Sequence, residues 1–276
     1  MVISAGGWSR MAAGVALAVV AASAGCGLGT NATPEPTCVP AAVPTVRPPA
    51  TTAGDGHSLR VVESGFARLP YAAFVQVGLL IENPSTEVAY ATSVSVTVHA
   101  ADGSVLLAPG SESQQTQTIP AIGPGARVGF GASIGQPPLS TTPPAYLTVE
   151  IGPSFWAPGG HTAPSVSDLR VRVTEGTQPY GGVTFTLQSG ACTDLPSHGV
   201  ATLYRDHDGT LIGGSRDPQS PIRCPATPAT AHVSLPELSP DLDATRVEVY
   251  PYCDPGIATE SSAAPVPGIM WTLTKP

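Results

Sequence analysis

Asp206-His207-Asp208 is the densest group of metal-ligating side chains in this sequence. Two carboxylates beside an imidazole are the donor types a divalent cation accepts. The triplet stands directly before Gly209, where an internal match with Ala100-Ala101-Asp102-Gly103 places a hairpin turn, so a solvated hairpin tip is the preferred reading. The histidines at 57, 99, 161, 198 and 232 are scattered, without the H-E-x-x-H spacing of a zinc protease. Ser-His-Asp chemistry needs a nucleophile elbow such as G-x-S-x-G, and neither Gly110-Ser111-Glu112-Ser113 nor Gly213-Gly214-Ser215-Arg216 matches it. No glycine-rich phosphate loop follows a strand and opens a helix. No catalytic residue, metal site or cofactor is assigned, and the chain is read as a non-enzyme. Phe155 and Trp156, with Trp271, could stack on sugar rings, but packing at a domain junction and in a last strand is the preferred role.

Five cysteines carry the remaining chemistry. Arg10 precedes an apolar run from Met11 to Ala22, and Ser23-Ala24-Gly25 leads to Cys26. The run is shorter than the ~20 residues a spanning helix needs and reads as a signal segment. Small residues ending on Cys26 resemble the lipobox of bacterial lipoproteins. That resemblance implies cleavage before Cys26, thioether-linked diacylglycerol on its sulfur and an acyl group on its amine. The expected location is the extracytoplasmic face of the cell membrane, reached through the lipid. Cys38, Cys192, Cys224 and Cys253 then remain, an even number in an exported chain, and are expected to form two disulfides.

Composition points to strands. The 276 residues include 30 Gly and 31 Pro, and only 12% are charged. Proline and glycine penalise helix interiors, whereas the abundant Val and Thr favour a pleated surface. The net charge is −8, with no Lys/Arg cluster, which argues against nucleic acid as a partner. Residues 26–56 read as a lipidated tether: Pro34, Pro36, Pro40, Pro44, Pro48 and Pro49 alternate with Ala and Thr, too polar and too stiff to fold. As polyproline II, at ~3.1 Å per residue, the tether reaches roughly 90 Å.

Beyond the tether the chain matches itself. Ser58-Leu59-Arg60-Val61 returns as Asp168-Leu169-Arg170-Val171, and Tyr71-Ala72-Ala73 as Tyr180-Gly181-Gly182. The strand-turn-strand pattern around Asp102-Gly103 returns around Asp208-Gly209, and Thr148 to Pro153 parallels Arg246 to Pro251. Asp-Gly between β-rich runs is a strong hairpin signal. The order is kept while the offset shrinks, as loop deletions in a duplicated unit would produce. The expected fold class is all-β, with two tandem immunoglobulin-like sandwiches at residues 57–160 and 165–276. The second ends on Ile269 to Leu273, while the first either lacks a final strand or takes Leu169 to Val173. In an immunoglobulin-like order Cys192, Cys224 and Cys253 fall in loops at one end of the second sandwich. The expected pairing is Cys192–Cys253, with Cys38–Cys224 folding the tether back.

The wording of the turns resembles FxLYD-type and related immunoglobulin-like modules of exported bacterial proteins: Glu82-Asn83-Pro84-Ser85, Asp102-Gly103 and Pro124-Gly125 in the first copy, Leu203-Tyr204-Arg205-Asp206 in the second. It implies fold more than activity. The expected function is a lipid-anchored, non-catalytic binding or scaffolding component of a bacterial envelope, with an envelope protein as partner. The alternative is a lipoprotein that captures a small molecule or glycan in an interdomain cleft.

Overall fold

A computed structural model describes residues 45–46, 58–69, 73–137, 142–159, 161–174, 176, 179–235, 238–259 and 269–274. The signal segment, Cys26, Cys38 and most of the tether lie outside the described residues. The strands are, in chain order, β1 (Thr45–Val46), β2 (Arg60–Arg68), β3 (Phe74–Glu82), β4 (Glu87–His99), β5 (Thr116–Ile122), β6 (Arg127–Gly135), β7 (Tyr146–Ile151), β8 (Phe155–Pro158) and β9 (Ser165–Thr174). There follow β10 (Tyr180–Gln188), β11 (Leu195–Arg205), β12 (Leu211–Asp217), β13 (Arg223–Cys224), β14 (Ala229–Leu235), β15 (Glu248–Cys253), β16 (Ala258–Thr259) and β17 (Ile269–Thr274). Apart from two 3₁₀ turns, Glu112–Gln114 and Ala244–Arg246, the described chain is strand and loop.

Four sheets build the body. Sheet I has the order β17-β7-β4-β5, with β8 also on β4; sheet II is β2-β3-β6. Sheet III is β12-β11-β15 with β13 at the start of β11, and sheet IV is β14-β10-β9. The fold is all-β. Period-2 alternation explains how strands pack on two sides at once. In β3, Val75, Val77, Leu79 and Ile81 point into the first core, against Val94, Val96 and Val98 of β4. The intervening Gln76, Gly78 and Leu80 face the other way and are buried too. Sheets III and IV enclose a second core around Val183, Phe185, Val200, Tyr204 and Val233. Leu80, Leu203 and Leu211 fill a cluster between sheets II and III. The stacking order is therefore I, II, III, IV.

The duplication is visible in the ladders. The order β2-β3-β6 recurs as β9-β10-β14, and β5-β4-β7 as β12-β11-β15, both immunoglobulin-like. The Asp-Gly turns agree bond for bond: Gly103 N–H donates to Ala100 O and Gly209 N–H to Asp206 O, each at 3.0 Å. Ala100 N–H donates to Ser104 O, as Asp206 N–H does to Thr210 O. Only the glycine of each turn has positive φ, +86° at Gly103 and +89° at Gly209. Each loop is thus an ordinary turn closed by a left-handed glycine, and the preceding aspartate keeps negative φ.

The last strand departs from expectation. β17 pairs with β7 of the first copy, Trp271 opposite Val149 and Leu273 opposite Leu147. β9 pairs with β10 and belongs to the second copy. The first sandwich therefore gets its final strand from the chain's end, and the second copy sits inside the connection between β7 and β17. An eighth strand that packs the partly buried Leu273 against the first core explains this closure. Consistently, Cys38–Pro276 forms one compact unit, not two separable ones. Within the stretch read as tether, Thr45 and Val46 pair in parallel with Ala258 and Thr259.

Candidate binding surfaces

The seam between sheets II and III is closed by bare backbone. Gly65, Gly78 and Gly131 are register partners across the three strands of sheet II. A Cβ on each would lie 1.8 Å from Leu211 O, 2.4 Å from Gly213 O and 2.2 Å from Ser215 O, respectively. Alternate carbonyls of β12 thus run across a glycine row, an approach that no side chain permits. At one end, Arg205 joins the layers: its guanidinium donates to both oxygens of Glu63 on β2, to Glu248 Oε1 on β15 and to Gly209 O. Glu63 raises the Arg205 pKa first, burial opposes it, and Glu248 adds to the rise. Tyr252 is buried and its Oη donates to Gly129 O at 2.8 Å, while the Arg216 guanidinium lies 5.7 Å from its ring centroid. Burial pushes the Tyr252 phenol up and the Arg216 guanidinium down. Among the described residues these contacts pack β12 directly against sheet II.

Asp206, His207 and Asp208 do not converge. Asp206 Oδ1 accepts from the Asp208 and Thr210 N–H groups, so it shapes the turn from within. His207 is 80% exposed and turns toward Asp243, 3.6 Å away. Among the described residues no group of three or more His, Cys, Asp or Glu is placed to hold a metal ion.

Trp156 lies in the first core at 7% exposure. Phe155 is half-buried in a small cluster with Val88, Tyr90, Ala157 and Ile257. Trp156 is thus closed off as a stacking platform, while Phe155 keeps part of its surface exposed. Trp271 stands on β17, and its side chain lies outside the described residues.

The disulfide pairing is corrected. Cys224 bonds Cys253, with the Cα atoms 5.6 Å apart. The reason is register: Cys224 is opposite Leu195 and Cys253 opposite Ser197, both at the start of β11, so β13 and the end of β15 meet there. Cys192 is disulfide-bonded as well, and therefore not to Cys253 as expected, and the expected second bond, Cys38–Cys224, is excluded too.

Two sheet faces remain outward. The outer face of sheet I is rich in hydroxyls: Thr97, Thr148 and Thr272 form one cross-strand row, and His99 stacks on Tyr146 in the next, with ring centroids 4.7 Å apart. The outer face of sheet IV carries Arg170, Thr184 and His232 in one row, with Arg172, Gly182 and Ser234 in the next. Sequence reading missed this second face, although Arg170-Val171-Arg172-Val173 alternates in a way that puts both guanidiniums on one side.

No family model matches the chain, and no curated protein matches it. Among solved structures, red sea bream transglutaminase is similar at 10% identity, over 78% of this chain and 31% of that one, with a TM-score of 0.24. The chain thus spans less than a third of that structure's length.

Proposed function

We propose that this protein is a lipid-anchored, extracytoplasmic binding or scaffolding component of a bacterial envelope that works without catalysis. The observation that carries this reading is the glycine seam. Backbone packed on backbone between Gly65, Gly78, Gly131 and β12 joins the two copies closely into one body that carries the outer faces of sheets I and IV. Two faces carried on one body suit holding partners more than turning over a substrate, which needs converging reactive groups. The lipobox-like run ending at Cys26 supplies the attachment.

The test is detergent phase partition with mass analysis of the mature amino terminus. The parent chain is expected in the detergent phase with a diacylglyceryl-modified Cys26, and Cys26→Ser in the aqueous phase. An unmodified Cys26 would refute the anchor. Turnover abolished by point substitution on either face would refute the absence of catalysis.

A further inference from the structure

We infer that the outer face of sheet IV is a docking surface for an acidic glycan, a polysaccharide carrying carboxylate groups. The inference rests on reading the body as a binding module, and not on the lipid anchor.

The first support is charge left uncommitted. The chain has a net charge of −8, so carboxylates outnumber the cationic side chains. Arg60 and Arg127 share Glu82, Arg246 meets Asp243, Arg205 meets Glu63 and Glu248, and Arg216 donates to His198 O beside Tyr252. Arg170 and Arg172 are exposed and have no ion-pair or hydrogen-bond partner among the described residues. They lie two residues apart on β9, so their Cα atoms are ~6.6 Å apart and their side chains leave the same face. Two free guanidiniums on one face of an acidic protein mark a place where negative charge is accepted from outside.

The second support is the company they keep. Tyr180 is on the same face at the end of the Gly182, Thr184 alternation, and is 56% exposed. His232 lies over the bare Gly182, where an added Cβ would be 2.6 Å from its Cε1, and its Nδ1 is 3.4 Å from Thr184 Oγ1. An open aromatic ring, an imidazole and hydroxyls beside two guanidiniums are what a sugar acid uses: ring face, hydroxyls and carboxylate each find a counterpart.

An acidic polypeptide fits less well. Of the apolar residues of β9, Val166, Leu169 and Val171 are turned into the second core, and Val173 alone is exposed. Strand addition along the open edge of β9 meets the bulge at Asp168, whose φ is +51° and whose carboxylate accepts from Thr186. Such a bulge interrupts an edge as a template for pairing.

The experiment is calorimetric titration of the full chain in detergent micelles with polygalacturonate, and with neutral pullulan and poly-L-glutamate as comparisons. Polygalacturonate is expected to bind, more weakly as salt rises, and pullulan and poly-L-glutamate at least about tenfold more weakly. The pair Arg170→Gln/Arg172→Gln is expected to lose about tenfold or more in affinity with an unchanged melting temperature, Tyr180→Ala to lose several-fold, and Arg223→Gln, another exposed arginine, to lose nothing. No binding of polygalacturonate, equal binding of poly-L-glutamate, or an undiminished affinity in the double variant would overturn the inference. Hydrolysis of the polymer would instead overturn the non-catalytic reading and leave the face assigned.

Discussion

Gly78 and Gly213 meet across the seam with no space for a side chain on Gly78, since a Cβ there would stand 2.4 Å from the Gly213 carbonyl oxygen. The obstacle is backbone on both sides, so it cannot rotate away as a side-chain tip would. Gly78→Ala is therefore expected to lower stability by about 3 kcal/mol or more, beyond the usual overpacking range. Gly110→Ala is the comparison: φ is +85°, yet nothing lies within 4 Å of its Cβ position, so only the left-handed penalty of ~1 kcal/mol applies. Urea unfolding of both variants measures the difference, and equal losses would contradict a backbone-packed seam.

Glu63 and Arg205 clamp the same seam at its polar end. Arg205 is 16% exposed at its side chain and Glu63 35%, so the pair is shielded enough to matter and wet enough to be modest. Glu63→Gln is expected to cost about 1 kcal/mol. Arg205→Met costs more, about 2–3 kcal/mol, because Glu248 and Gly209 O lose their donor as well. A double-mutant cycle between Glu63 and Arg205 is expected to show coupling near 1 kcal/mol. Zero coupling would reduce the clamp to two independent surface charges.

β17 gives a topological prediction. A chain ended at Gly268 loses the partner of Tyr146–Ile151 and the cover of Leu273 over the first core. Hydrogen exchange is expected to rise sharply in β7, far from the deletion in sequence, while β9 and β10 keep their protection. Were β15 deprotected instead, with β7 unchanged, the last strand would belong to the second copy after all.

Much of this architecture is legible in the sequence, because it is written in local signals. Alternation in Val75 to Ile81, the paired Asp-Gly turns and the echo of Leu59-Arg60-Val61 in Leu169-Arg170-Val171 give the strands and the duplication. What is not legible is long-range choice. Ile269 to Leu273 has the same strand character whether it pairs with β7 or β15, and pairing is decided by which edge is free once all the sheets have formed. The three seam glycines likewise read as weak strand positions, because no local signal announces that β12 will lie across them. Cysteine loops near one another allowed several disulfides; the register at Leu195 and Ser197 selects Cys224–Cys253. Arg170 and Arg172 were visible as residues, but that neither meets a partner among the described residues appears only once the strands are paired.

His161 sets the pH dependence near neutrality. Burial holds its pKa below the ordinary 6.5, and its ring lies edge-on to Tyr90, with centroids 6.4 Å apart. The folded state therefore keeps the imidazole neutral while the unfolded chain takes up a proton near pH ~6.5. Its contribution to stability is complete above that value and is lost progressively as pH falls from there through the folded pKa. Glu82, Asp102 and Asp243 act lower: hydrogen bonds from Arg60, Ser104 and Thr245, respectively, are the main causes depressing their pKa values, so their contribution persists down to pH ~4 and disappears below it. Two separate declines in urea midpoint are expected on acidification, one from pH ~6.5 and one below pH ~4. His161→Gln should flatten the first and leave the second in place. If the parent and the variant decline together between pH 7 and 5, the buried imidazole is not the group responsible.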